Sequence, residues 1–355
     1  MSLQVGIVGL PNVGKSTLFQ ALTKKKVDTS NYPFATIDPN VGVVPVPDAR
    51  LEALAKVAKS KEIIPTTVEF VDIAGLVKGA HKGEGLGNQF LSNIREVDAI
   101  VEVIREFTDP NVTHVGGTID PVSDAETINL ELIFADLAVV AKRHETESRQ
   151  LKAGTDRALQ LRLGVLTKLK EALEAGKAAR TVTLTDEERE TVKDMNLLTA
   201  KPILNVLNIG ESGIKKPPAI SLDSRVVPLC VKIESELAEL SQNDATNFMR
   251  DLGLKEVGLD TLIRAAYETL DLITFFTAGP KETRAWTIRK GSKAPQAAGI
   301  IHTDFEKGFI RAEVINWKQF IDDGGDVRAK ELGHVRLEGK EYIIQDGDVV
   351  HFHFQ

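Results

Sequence analysis

The sequence predicts an α/β protein, and three observations carry that reading. Apolar strand-like runs alternate with helical periods through the first ~120 residues, the pattern of a parallel sheet with helices on its faces. A glycine-rich loop stands between the first of these runs and the helix that follows it. The same texture returns near residue 200, after a long stretch that is helical throughout.

The first strand is Val5–Val8, and the loop behind it reads Gly9-Leu10-Pro11-Asn12-Val13-Gly14-Lys15-Ser16-Thr17. Glycines let backbone N–H groups close around phosphate oxygens, a lysine at position 15 reaches the β- and γ-phosphates, and the next hydroxyl, Ser16, ligates Mg²⁺. The run from Thr17 to Leu22 starts a helix whose dipole favours an anion at that end. Helices are expected over Arg50–Lys59 and Leu86–Val97, and strands over Thr67–Val71 and Ala99–Ile104.

Residues 123–197 hold three glycines and no proline, with 12 Lys+Arg against 14 Asp+Glu. Leu130, Ile133, Leu137 and Val140 form one apolar stripe, and Leu159, Leu163, Leu166 and Leu173 another, with Gly154 between them. An antiparallel helical hairpin inserted into the first domain fits this pattern, as a salt-bridged structural element or as an arm that touches a large partner. Lys201–Asn208 and Arg225–Cys230 read as buried strands, and Leu259–Leu270 as the helix that ends the α/β part. The expected division is therefore 1–122 with 198–277, then 123–197, then 278–355.

The last segment is a small β-rich unit with one or two helices and short strands at Ala285–Ile288, Phe309–Val314, Glu341–Ile344 and Val349–Phe354. It carries His302, His334, His351 and His353, without the spacing of a metal site.

Composition narrows the function classes. Apolar content of 42% and charged content of 27% are ordinary for a soluble globular chain. No run has the length of a transmembrane helix, and the first strand leaves no room for a signal peptide, so a cytoplasmic protein with no membrane partner is expected. Cys230 is the single cysteine, so no intrachain disulfide forms. A net charge of −7 argues against coating nucleic acid through overall positive charge, and residues 278–355, with 12 basic and 12 acidic residues, lend no compositional support to RNA contact.

Two further motifs narrow the phosphate loop to a switch nucleotide hydrolase. Asp72 and Gly75 form Asp-x-x-Gly at a strand end, where Asp72 holds Mg²⁺ through water and the Gly75 N–H senses the γ-phosphate. Thr36 offers a second hydroxyl ligand from Phe34-Ala35-Thr36-Ile37. Such loops are ordered by the γ-phosphate and released on hydrolysis. Leu76 stands where a Ras-like protein has its water-orienting glutamine. The base-reading segment is Asn208-Ile209-Gly210-Glu211, with no lysine and a carboxylate one methylene longer than the aspartate that accepts guanine's N–H groups. That departure points to a relaxed or adenine-preferring pocket. Val231, in Cys230-Val231-Lys232, lies at the second base-contact loop. A guanine-specific translation GTPase and a non-catalytic nucleotide-gated interaction module stay open as alternatives.

These residues, with Asn31–Ile37, Phe70–Gly87, Asn208–Glu211 and Leu272–Glu282, resemble the YchF/Obg-like ATPase family over essentially the full chain. The resemblance implies a G-type P-loop domain, an inserted helical hairpin and a small C-terminal α+β domain like the TGS domain of some tRNA synthetases. It implies ATP in preference to GTP, association with the ribosome, a cytosolic location, and contact with tRNA or rRNA through the helical arm and the TGS-like domain. Slow turnover with Mg²⁺ is expected from the missing water-orienting glutamine and the absence of a finger residue, and a monomer because nothing in the sequence calls for a dimer. It places the catalytic histidine at His114 in Asn111-Val112-Thr113-His114-Val115, with His81 as the rival nearer the switch, and Lys15 and Gly75 beside it on the γ-phosphate. It also gives Asn12 a part in holding K⁺ beside the phosphates, where a cation stabilises transition-state charge as an arginine finger does. The nucleotide set is then Asn12, Val13, Gly14, Lys15, Ser16, Thr17, Asn208, Ile209, Glu211 and Val231, and the metal set Ser16, Thr36 and Asp72.

Overall fold

The computed structural model describes residues 3–24, 40–73, 86–114, 117–153, 156–254 and 256–355. The chain opens with β1 (Gln4–Val8), α1 (Lys15–Thr23), β2 (Val41–Pro45), α2 (Ala49–Ala58), β3 (Glu62–Ile64), β4 (Thr67–Asp72), α3 (Leu86–Glu96) and β5 (Ala99–Arg105). Helices α4 (Pro121–Ala153), α5 (Arg157–Glu174) and α6 (Asp186–Glu190) follow, then β6 (Ile203–Asn208), β7 (Val226–Leu229), α7 (Val231–Leu237), α8 (Gln242–Leu252) and α9 (Gly258–Thr269).

Among the described residues the first sheet has the order β2-β4-β1-β5-β6-β7, parallel throughout except that β2 runs antiparallel to β4. Its central strands are covered on both faces, so they read as unbroken apolar runs: Val5–Val8 is buried at every position, as is all of β5. Gly6 is needed for this packing, because a Cβ there would lie 2.6 Å from Ile73 Cδ1. The C-terminal ends of β1, β4 and β6 converge on one edge, where an open parallel sheet places its ligands.

Helix α4 is 33 residues long, about 50 Å at the α-helical rise. Its N-terminal turns pack into the sheet core through Ile128, Leu132 and Ala135, and only further along does it turn Ile133 and Val140 toward Val165, Leu166, Leu169 and Leu173. Leu130, expected in the stripe, is 44% exposed, because the helix changes partners at that point. The returning chain is fixed by buried Asp136, whose carboxylate accepts the N–H groups of Leu198 (3.0 Å) and Thr199 (2.7 Å) and the Thr199 hydroxyl (2.7 Å).

The remaining elements are β8 (Leu272–Ala278), β9 (Glu282–Arg289), α10 (Ala294–Ile301), α11 (Thr303–Lys307), β10 (Phe309–Asn316), α12 (Trp317–Asp322), α13 (Asp326–Glu331), β11 (Arg336–Glu338) and β12 (Asp348–Phe354). They form a second sheet of order β11-β10-β12-β8-β9-β3. Three expectations are corrected here. Residues 272–277 belong to this sheet rather than to the nucleotide-domain segment 198–277, since β8 pairs with β9 from Leu272–Arg289 to Ala278–Thr283. The unit carries α10 to α13 instead of one or two helices. Glu341–Ile344 makes one isolated bridge, Lys293 to Ile343, because Tyr342 N–H closes a turn onto Gly339 and Gln345 N–H is held by the Asp348 carboxylate.

Strand β3, from the N-terminal half, joins the second sheet by pairing parallel to β9. Helix α2 goes with it: Leu51 and Leu54 sit in one apolar cluster with Phe276, Ala285 and Phe320. Arg50 reaches Asp346 at 2.6 Å and Asp48 at 2.7 Å, with its guanidinium over the Phe276 ring. His351 and His353 are 5.0 Å apart on β12, and His353 is bonded to Glu313 at 3.0 Å. Among the described residues no helix is long and apolar enough to cross a membrane, and no group of three or more His, Cys, Asp or Glu is placed to hold a metal ion.

Candidate nucleotide site

The loop after β1 turns tightly into α1. Asn12 and Gly14 take left-handed backbone conformations, with φ of 63° and 100°. Helix α1 makes its first bond from Leu18 N–H to the Gly14 carbonyl (3.0 Å), so the preceding amides are left for an anion. Gly14 has a second requirement: a Cβ there would lie 2.4 Å from Asn208 Nδ2.

Lys15 is buried, and its Nζ donates to the Leu10 carbonyl at 2.7 Å. Burial pushes its ammonium down to about 8, against the opposing pull of the Asp72 carboxylate. Asp72, at the end of β4, is raised from the usual carboxylate range by burial, while Lys15 and a hydrogen bond from the Ser16 hydroxyl act to lower it. The fold therefore brings Lys15 and Ser16, at the start of α1, together with Asp72, at the end of β4. Ser16 and Asp72 present hard oxygen donors side by side, a set that fits Mg²⁺. Thr36, Gly75, Leu76 and His81 lie outside the described residues.

The segment after β5 is organised by Arg105, a buried residue that the sequence reading missed. Its Nε donates to the Phe107 carbonyl (3.1 Å), its Nη2 to Val112 (3.0 Å), and its guanidinium lies 4.5 Å from the Phe107 ring centroid. This sets Thr113 against the phosphate loop, where its carbonyl accepts from Asn12 Nδ2 at 3.2 Å. His114 follows. Its ring is 6% exposed, and Nε2 is bonded to the Asp124 carboxylate on α4 at 2.9 Å.

At the ends of β6 and β7 a cavity of about 640 Å³ is lined by Gly14, Thr17, Phe107, Asn208, Glu211 and Lys232 among others. Asn208 is buried and knits the site: its Nδ2 donates to the Val13 carbonyl (2.9 Å), and its Oδ1 accepts from Val231 N–H (3.1 Å). The Ile209 and Val231 side chains are buried in apolar clusters, so these two residues offer the cavity their main chain. Glu211 is paired with Lys232 at 2.8 Å. The segment has no lysine of its own, and its carboxylate is paired instead with one from the first turn of α7.

Glu102 on β5 lies beneath this site, fully buried, with both carboxylate oxygens unpartnered. Burial raises it to about 8; Arg180 pulls it down and Asp124 pushes it further up. Asn205, its partner in register on β6, and Asn129 on α4 also have buried, unpartnered carbonyl oxygens. Because Glu102 binds its proton more tightly in the folded chain than in the unfolded one, stability falls as pH rises from about 4.5 to 8, by up to about 1.4 kcal/mol per pH unit for one proton. Glu102→Gln is expected to raise the melting temperature at pH 8 and leave it little changed at pH 5. Equal effects at both pH values in thermal melts would remove this account.

A phosphate loop opening a helix on a parallel sheet, a carboxylate beside that helix's first hydroxyl and a base-sized cavity at the strand ends define a P-loop nucleoside triphosphatase. Residues 4–142 match the family described as "50S ribosome-binding GTPase", and residues 272–355 match the YchF-GTPase C-terminal family, described as a protein of unknown function (DUF933). The chain is 53% identical to "Ribosome-binding ATPase YchF" of Bacillus subtilis (strain 168), covering 100% of both chains. It is 52% identical to the protein of the same name from Haemophilus influenzae, over 100% of this chain and 99% of that one. Among solved structures it is similar to the Schizosaccharomyces pombe YchF GTPase, with a TM-score of 0.89, 37% identity and coverage of 99% and 98%. The chain belongs to the YchF family of P-loop nucleoside triphosphatases.

Proposed function

We propose that this protein is a Mg²⁺-dependent ATPase of slow intrinsic turnover that acts as a cytoplasmic, ribosome-associated switch. The observation that carries the reading is the joining of the phosphate loop to the base cavity through Asn208, which touches Val13 and Val231 at once. Relatives at about 50% identity that bear the name ribosome-binding ATPase support the ATP and ribosome parts.

In this reading the amides of Val13, Gly14 and Thr17 and the Lys15 ammonium clamp the phosphates. Ser16, Thr36 and Asp72, the last through water, hold the magnesium ion, which neutralises phosphate charge when bound. Gly75 senses the γ-phosphate. Phe107 offers the base an aromatic face, stiffened from behind by Arg105. The main chain of Ile209 and the Glu211 carboxylate read the base edge.

His114 orients the attacking water in place of the glutamine replaced by Leu76. The Asp124 contact supports this, since a carboxylate on Nε2 holds the ring in place and biases its tautomer. Asn12, whose Nδ2 is spent on Thr113, keeps its amide oxygen for a K⁺ ion. Without a finger residue such enzymes turn over at roughly 10⁻⁴ s⁻¹ and await a partner. The chain works as a monomer of three parts, with the nucleotide domain bearing the 123–197 hairpin and the TGS-like domain as arms toward ribosomal RNA or tRNA.

Co-sedimentation with ribosomes tests the switch. Pelleting with a non-hydrolysable ATP analogue is expected to differ severalfold from pelleting with ADP, and equal pelleting in both would overturn it.

A further inference from the structure

We infer that Lys232 is a specificity-determining residue of the base cavity, acting through its ion pair with Glu211 to disfavour guanine. The inference rests on the reading of that cavity as the base site. Glu211 begins the short turn Glu211–Gly213 after β6, and Lys232 is the second residue of α7. The two lie 21 residues apart in sequence, yet Lys232 Nζ donates to Glu211 Oε1 at 2.8 Å. Both line the cavity. The two segments are held in register by Asn208, three residues before Glu211, which accepts the N–H of Val231, immediately before Lys232. The pair is therefore placed by the buried frame of the site, although both side chains are solvated, at 69% and 57% exposure.

A carboxylate that selects guanine accepts two donors in parallel, the N1–H and an N–H of the 2-amino group. Oε1 of Glu211 already accepts from an ammonium, so a second donor there would have to share that oxygen with Lys232 Nζ, whereas Oε2 has no such charged competitor. Adenine presents a single exocyclic amino group and an unprotonated N1, so one acceptor and one donor suffice for it. Guanine would have to displace Lys232 or bring a donor hydrogen up to the same oxygen as its ammonium, and a donor left poorly paired at a recognition site lowers affinity for that base. The other carboxylates lining the cavity are Glu106 and Asp109, the latter accepting the Asn111 N–H at 2.8 Å. Lys232 also faces Glu236, one turn along its own helix.

The test is competitive titration of ATP and GTP with Mg²⁺ on the full chain and its variants. Lys232→Met is expected to shift the ratio of dissociation constants about three- to fivefold toward GTP, the range of a solvent-exposed ion pair. Lys232→Arg is expected to hold the wild-type ratio, and adding Glu211→Gln to Lys232→Met to remove the shift. A ratio unchanged within twofold in Lys232→Met, or moved toward ATP, would overturn the inference. Wild-type preference for GTP would instead overturn the ATPase reading itself, so the two failures are distinguishable. Both residues are exposed, and thermal melts matching wild type confirm that each variant is folded.

Discussion

Replacing His114 with alanine lowers single-turnover hydrolysis of bound ATP by about 10²–10³-fold, the range for losing a positioned acid–base group, and leaves nucleotide affinity within about threefold. The expectation follows from where the ring sits. His114 is one residue from Thr113, whose carbonyl holds Asn12 of the phosphate loop, and its Nε2 is committed to Asp124. Asp124 is the positioning residue in this arrangement. Asp124→Asn keeps a polar partner but loses control of the tautomer, so it reduces hydrolysis by about tenfold or more and changes the shape of its pH profile, with binding unaffected. A purely structural Asp124 would alter melting temperature and leave that profile alone. Hydrolysis unchanged in His114→Ala would remove the catalytic assignment and leave the non-catalytic module standing.

Lys15→Met carries the second large effect. A charge-assisted contact to phosphate is lost together with transition-state stabilisation, so nucleotide binding weakens by about 10–10²-fold and turnover falls further. The lysine also supplies a pH signature. Its ammonium is held down to about 8 by burial, and the charged form is the one that binds an anion. Wild-type affinity is therefore expected to decline as pH rises past about 8, while Lys15→Met stays flat over the same range. Fluorescence titration with a labelled nucleotide reads both. A flat wild-type profile, or a variant with wild-type affinity, would mean that Lys15 stays on the Leu10 carbonyl when nucleotide binds.

The parts legible in the sequence were those whose chemistry is local. Gly9–Ser16 carries its mechanism in eight consecutive residues, and Asp72 announces itself at the end of a strand. Asp124 and Glu102 gave no such signal, because α4 brings the first to His114 from ten residues downstream and sheet burial alone makes the second unusual. The Lys232–Glu211 pair depends on how the turn after β6 packs against the start of α7, which no spacing rule encodes. Strand β3 has three residues, and its partner β9 lies more than two hundred residues later. The Leu272–Phe276 run suits a strand in either sheet, and only its pairing with β9 decides which one holds it. Leu130 shows the same limit on a helix: periodicity fixes the face, but the change of partner from sheet to hairpin decides which residue on α4 is covered.

Competition between ATP and GTP for the wild-type protein in Mg²⁺ tests the central claim most directly. ATP tighter by about tenfold, or 1.4 kcal/mol, is the expected result. GTP tighter by the same margin would contradict it, showing that the cavity around Asn208 and Glu211 recognises guanine despite the paired carboxylate and making the chain a guanine-specific GTPase.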